Sequence, residues 1–148
     1  MKPRITVITL GVDDLERSLA FYRDGLGLPT AGIVGREFEH GAVAFFELQS
    51  GVMLALFDRR NLAHDAGLSP TAHSPTEFSL GHNVSNRAEV DAVMEQARNA
   101  GAQILKPAED TFWGGYSGYF ADPDGYPWEV AWNPGWTLTP ERTIRLPD

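Results

Sequence analysis

The sequence predicts an α+β fold of two βαβββ modules, forming a curved mixed sheet around a pocket. Three observations predict it. A β-branched strand near the N-terminus leads into a capped amphipathic helix that ends at glycine. The same order returns after residue 76. Each half then continues with strand and hairpin patterns. A βαβββ unit alone covers its own sheet poorly, so two side by side bury a common core and leave a concave face.

The elements follow in order. Ile5–Leu10 is β-branched and alternating, which predicts a strand. Asp13 and Asp14 mark a helix start, with Glu16 three residues after Asp13 as in a capping box. Leu15, Leu19, Tyr22 and Leu26 form its apolar face, and Gly25, Gly27 and Pro29 stop it. A weaker strand falls near Ala31–Arg36. Ala42–Leu48 and Val52–Phe57 flank Gln49-Ser50-Gly51, a hairpin signal. Residues 61–67 suit a short helical turn, and 69–75 a connector rich in turn residues.

The second half opens with a strand over Phe78–Val84. Asn86 and Glu89 make a capping box for a helix whose apolar face is Val90, Val93, Met94 and Ala97, with Gly101 as its stop. A strand over 102–106 is expected to stop at Pro107. Gly118–Ala121 and Tyr126–Trp132 form the last hairpin. Residues 1–133 read as one domain, with module one over 4–60 and module two over 76–133, and 134–148 as a C-terminal tail.

Asp122-Pro123-Asp124-Gly125 carries the turn chemistry of that hairpin. Asp bonds back to the backbone, Pro presets φ, and Gly tolerates the exit of a type I turn. In the strand after it, Glu129 points away from the face that carries Trp128, Val130 and Trp132. A Glu projecting from a sheet among apolar neighbours is a candidate anchor or base.

Composition narrows the function. The chain has 148 residues, 43% of them hydrophobic and 22% charged, as in a globular domain of ordinary size. A net charge of −8 argues against a nucleic-acid partner, because phosphate binding needs a basic surface. With no cysteine, disulfides, thiol catalysis and thiolate metal sites are excluded. No run of apolar residues is long enough for a membrane helix, and no secretory leader is evident, so a cytoplasmic protein is expected.

The run Gly11-Val12-Asp13-Asp14-Leu15-Glu16-Arg17-Ser18-Leu19-Ala20-Phe21-Tyr22, then Leu26-Gly27-Leu28, resembles the vicinal oxygen chelate superfamily. So does Asp122-Pro123-Asp124-Gly125 with Trp128-Glu129. That superfamily includes glyoxalase I, extradiol dioxygenases and bleomycin-binding proteins. The resemblance implies paired βαβββ modules, a pocket and a homodimer. In metal-dependent members it also implies a divalent ion held by His, Glu or Gln from four strands. Aligned on the motifs, those positions are Val7, Ala55, Ser79 and Glu129. Val and Ala have no donor and Ser is a poor one, so no metal or other cofactor is expected there. This departure disfavours glyoxalase I and extradiol dioxygenase activity.

The expected function is binding of a small organic molecule, with Glu129 as anchor. The alternatives are a lyase or isomerase acting on a carbonyl compound, with Glu129 as catalytic base or part of a rearranged metal site, and a module that mediates interactions without catalysis. Thr9, Ser79 and Asn83 supply polar contacts, and Met53, Ala55 and Phe57 an apolar floor. Trp113 and Tyr116, beside Gly114 and Gly115, are expected to line the pocket mouth, whereas Phe112 and Phe120 read as core. The histidines His40, His64, His73 and His82 read as surface or structural residues.

Overall fold

The computed structural model describes residues 1–2, 5–74, 78–141 and 143–145. The expected module starts at residues 4 and 76 and the last three residues of the tail lie outside this range. Two compact units divide the chain, Met1–His73 and Ser74–Asp148. Each holds a four-stranded mixed sheet, with helices beside it.

In the first unit the strands are β1 (Val7–Val12), β2 (Thr30–Val34), β3 (Val43–Glu47) and β4 (Met53–Asp58), ordered β1-β4-β3-β2. β1 runs parallel to β4, and the other pairs are antiparallel. Helices α1 (Leu15–Ala20) and α2 (Arg59–Asp65) complete the unit. The cap of α1 is Asp14, whose carboxylate accepts from the Arg17 amide at 3.0 Å, so the helix starts one residue later than Asp13 suggested. With Arg17 three residues past the cap, the capping box with Glu16 does not form.

α1 then widens into a π turn over Phe21–Gly25, where the Leu26 amide donates to the Phe21 carbonyl at 2.9 Å. The wider turn lets two consecutive aromatics face inward. Phe21 and Tyr22 are both buried and meet edge to face at 5.1 Å, while Tyr22 also meets Phe46. Helical spacing alone assigned Tyr22 to the core and missed Phe21. Leu10, Val12, Leu54, Leu56, Ala44 and Phe46 form the rest of this core, on the sheet face toward the aromatics.

In the second unit the strands are β5 (Leu80–Asn83), β6 (Gln103–Asp110), β7 (Tyr116–Ala121) and β8 (Pro127–Trp132), ordered β5-β8-β7-β6. β5 is parallel to β8, matching β1 and β4. Helix α3 (Arg87–Asn99) is capped by Asn86, with Glu89 reaching back to the amide just before the cap. The Glu89 amide donates to Asn86 Oδ1 at 2.9 Å, and the Ser85 amide donates to Glu89 Oε2 at 2.9 Å. Val90, Met94 and Ala97 are buried, together with Phe120 and Val130.

Two expectations fail here. Pro107 does not stop β6, which runs on to Asp110. β6 is the sheet edge and its register shifts around Lys106, so an exposed proline there removes no needed ladder bond. Phe112 is not core; it is fully exposed in the turn between β6 and β7.

The Asp122 turn forms as its residues require. Asp122 Oδ1 accepts from the amides of Asp124 and Tyr126 at 2.9 and 2.8 Å, and the Gly125 amide donates to the Asp122 carbonyl at 3.0 Å. Gly125 has φ of 88°, which favours glycine. Beyond β8, the expected tail carries a short antiparallel pair, β9 (Thr137–Leu138) with β10 (Ile144–Arg145). Among the described residues, no helix is long and apolar enough to cross a membrane.

Candidate functional site

The Asp122 turn sets the register of the β7–β8 hairpin. Ala121 opposes Pro127 directly after the turn, so Tyr119 opposes Glu129 two residues further along each strand. Paired residues share a face. Glu129 is half-buried, and Tyr119 is the tyrosine that feels its charge. Burial first, and then the negative charge of Glu129, hold the Tyr119 phenol proton above its ordinary pKa.

The rest of that face follows from the ladder. Ser117 opposes Ala131, and Gly81 and Asn83 of β5 lie beside Glu129 and Ala131. Lys106 opposes Tyr119 from β6 and is paired with Glu109 at 2.7 Å. Space remains above Gly81, where an added Cβ would find only the Asn83 amide nitrogen at 4.0 Å. The face therefore carries a carboxylate, a phenol, a carboxamide and an ammonium beside an open glycine. It can accept from a hydroxyl or amine and donate to a carbonyl.

Tyr116 lies on the other face of the sheet, three residues from Tyr119. It opposes Trp132, and its hydroxyl donates to Asp91 of α3 at 2.9 Å. The Arg87 guanidinium sits 5.1 Å from the Tyr116 ring centre and 5.4 Å from that of Trp132, and it pairs with Asp110. Tyr116 thus ties α3 to the sheet. Trp113 lies in the β6–β7 turn with its indole across Gly115, where any Cβ would collide with the ring. The two aromatics singled out from sequence do not share a face. The tyrosine that faces Glu129 across the ladder is Tyr119, and counting outward from the Asp122 turn would have found it.

Ser79 falls one residue before β5, on the chain leading to Gly81, and Asn83 falls at the end of that strand. In the first unit, Val7, Thr9, Met53, Ala55 and Phe57 share the face opposite the aromatic core. Phe45 of β3 joins them beside Ala55. Val7 and Phe45 are exposed, Met53 and Phe57 half-buried, and Ala55 is 2% exposed. Thr9 is the polar residue nearest the middle of this otherwise apolar surface. Of the four positions that the resemblance aligns with metal ligands, Val7 and Ala55 offer no donor atom and Ser79 a weak one. That donor set does not fit a transition ion.

The profile of the Glyoxalase/Bleomycin resistance protein/Dioxygenase superfamily matches residues 4–130. A glyoxalase-related enzyme from Fulvimarina pelagi is 37% identical, with a TM-score of 0.84 over 97% of this chain and 98% of that one. A glyoxalase/bleomycin resistance protein/dioxygenase from Nocardioides is 30% identical, with a TM-score of 0.69 over 89% and 84%. Lactoylglutathione lyase from Agrobacterium tumefaciens is 28% identical, with a TM-score of 0.64 over 90% and 96%. An uncharacterised protein of Mycobacterium bovis is 26% identical over 121 residues, 82% of this chain and 78% of its own. With the mixed sheets, the paired βαβββ order and these relatives in hand, the chain belongs to the Glyoxalase/Bleomycin resistance protein/Dioxygenase superfamily.

Proposed function

We propose that this protein binds a small organic molecule through Glu129, without a metal ion at the position that metal-dependent relatives use. The observation that carries the reading is the Tyr119–Glu129 pair. Tyr119 faces Glu129 across the ladder and feels its charge, and the other three positions that the family resemblance aligns with metal ligands are Val7, Ala55 and Ser79. One carboxylate with a phenol can anchor a hydroxyl or amine, while aromatic and apolar surface supplies contact area. Ser79, Asn83 and Trp113 of the second unit are the further ligand contacts of this reading, and Thr9, Met53 and Phe57 offer contact surface on the first unit. Solution as a homodimer in the cytoplasm belongs to the same proposal and rests on the family resemblance.

Lyase or isomerase chemistry is the second reading, and the same pair favours it. A carboxylate takes a proton beside a carbonyl while a phenol within reach donates to the developing oxyanion. The similarity to a glyoxalase-related enzyme and to a lactoylglutathione lyase supports considering it.

Isothermal titration in EDTA, with small aromatic and carbonyl compounds selected by thermal shift, tests the first reading. A ligand that stabilises the wild type is expected to bind Glu129→Gln at least ~10-fold more weakly, roughly the loss of one charge-assisted hydrogen bond. Equal binding by the variant would remove Glu129 from the site. Turnover lost in Glu129→Gln while binding persists would move the assignment to the second reading.

A further inference from the structure

Sequence reading left four histidines without a role, and the fold brings two of them together. His40 lies in the loop between β2 and β3, and His64 in the last turn of α2. Their ring centres are 4.8 Å apart, with the planes tilted by 38°.

Both supports are held by local bonds. The loop is pinched at its neck, where a Cβ on Gly35 would come within 2.4 Å of the Gly41 carbonyl oxygen. Two backbone bonds close it, Phe38 amide to Gly35 carbonyl and Gly41 amide to Phe38 carbonyl, each 3.1 Å. His40 itself has φ of 63°, a left-handed conformation that is strained for a non-glycine residue. Strain of that kind, held by its surroundings, points to a use for the side chain it presents. On the other side, Asp58 caps α2 by accepting from the Arg60 and Asn61 amides at 2.8 and 3.3 Å. Asn61 and His64 are three apart on that helix and so share a face.

The polar contacts give His40 a direction. Its Nδ1 meets Asn61 Oδ1 at 2.9 Å, so Nδ1 carries the hydrogen and the lone pair belongs to Nε2. Nε2 faces Glu39 Oε1 at 3.6 Å. That is too long for a hydrogen bond, but close to the ~3.4 Å between two ligands at the corners of a tetrahedral Zn²⁺ site with ~2.0–2.1 Å bonds. An imidazole whose second nitrogen is held by an amide oxygen is the usual arrangement of a metal-bound histidine.

We propose that His40, His64 and Glu39 form a binding site for a divalent transition ion, Zn²⁺ or Ni²⁺, on the surface of the first unit. The ion takes His40 Nε2, one Glu39 oxygen and a nitrogen of His64, with water completing the shell. Exposed Glu39 and His64 turn toward the fixed His40 on binding. Imidazole with carboxylate selects Zn²⁺, Ni²⁺ or Cu²⁺ over Mg²⁺ and Ca²⁺. The site is separate from Glu129 and does not depend on the small-molecule reading.

Titration calorimetry with ZnCl₂ and NiCl₂ at pH 7.5 tests it, on wild type, Glu129→Gln, His40→Asn, His64→Gln and the double His40→Asn/His64→Gln variant. Asn is chosen at position 40 because it tolerates left-handed φ. Circular dichroism and melting in EDTA select variants that retain the fold. The expected result is one ion per chain, unchanged in Glu129→Gln and at least ~10-fold weaker in each histidine variant. Lowering the pH to 5.5 is expected to weaken it further as protons compete for the imidazoles. Binding that survives the double histidine variant, or no binding to wild type at millimolar metal, overturns the proposal.

Discussion

The two sheets share a strand order and differ in the chemistry of one face. In each, the face packed on the core is apolar: Leu10, Leu54, Leu56 and Phe46 in the first, Val130, Phe120 and the residues under α3 in the second. The opposite faces diverge. The first presents Val7, Met53, Ala55, Phe57 and Phe45 around Thr9. The second presents Glu129, Tyr119, Ser117, Lys106 and Asn83. Burial of the core face drives both units to the same topology and leaves the other face free to vary. The difference locates polar chemistry in the second unit and apolar contact in the first.

The strongest way to break this comparison is to exchange the chemistry of the faces. Ala55 is buried on the apolar face, and Ala55→Glu is expected to destabilise by about 3–5 kcal/mol in urea unfolding, because a carboxylate there is desolvated without a donor. A loss below ~1 kcal/mol would mean that position 55 is not desolvated in the folded protein. Glu129→Leu on the other face removes a half-buried carboxylate and adds apolar area, so its expected change in stability is under ~1 kcal/mol.

A smaller effect is expected at the clamp between α3 and its sheet. Arg87→Ala loses two ring contacts and the Asp110 pair, all half-exposed, which together are worth about 1 kcal/mol. Arg87→Lys should recover only part of it, and full recovery would count against the planar stacking. A matched change in Tyr116→Phe, which keeps the ring and drops the Asp91 bond, would separate the two contributions.

The finest test is spectroscopic. Tyr119 holds its proton above the ordinary value, through burial first and Glu129 second. The folded form thus binds a proton that the unfolded chain releases near pH 10. This stability is present below pH 10 and is lost as pH rises through the raised value. Phenolate absorbance during alkaline titration should lose its Tyr119 component in Tyr119→Phe. In Glu129→Gln that component should move down without reaching pH 10, since burial remains. An unmoved titration would separate Tyr119 from Glu129.

The legible and illegible parts of this fold divide by range. Asp122-Pro123-Asp124-Gly125 was readable because its bonds close within five residues, and Asn86 with Glu89 for the same reason. Pro107 was misread because its tolerance depends on lying at the sheet edge, a property of the other strands' order. Phe21 was missed because a π turn shifts the helical period and buries it edge to face against Tyr22. Tyr119 was within reach of sequence reading, since the turn fixes the hairpin register, whereas the Tyr116–Asp91 bond needed α3 to be docked.

By itself, then, the sequence determined the local and periodic features: the capped helices, the turn, the alternation that sets Glu129 against Trp128 and Val130, and so the family. Only tertiary structure decided which side chains meet. It buried Tyr119 beside the charge of Glu129, stacked Arg87 over Tyr116 and Trp132, and brought His40 to His64 from positions 24 residues apart. Local bonds are encoded by neighbours along the chain, but a pairing between distant side chains exists only once packing has fixed where each backbone lies.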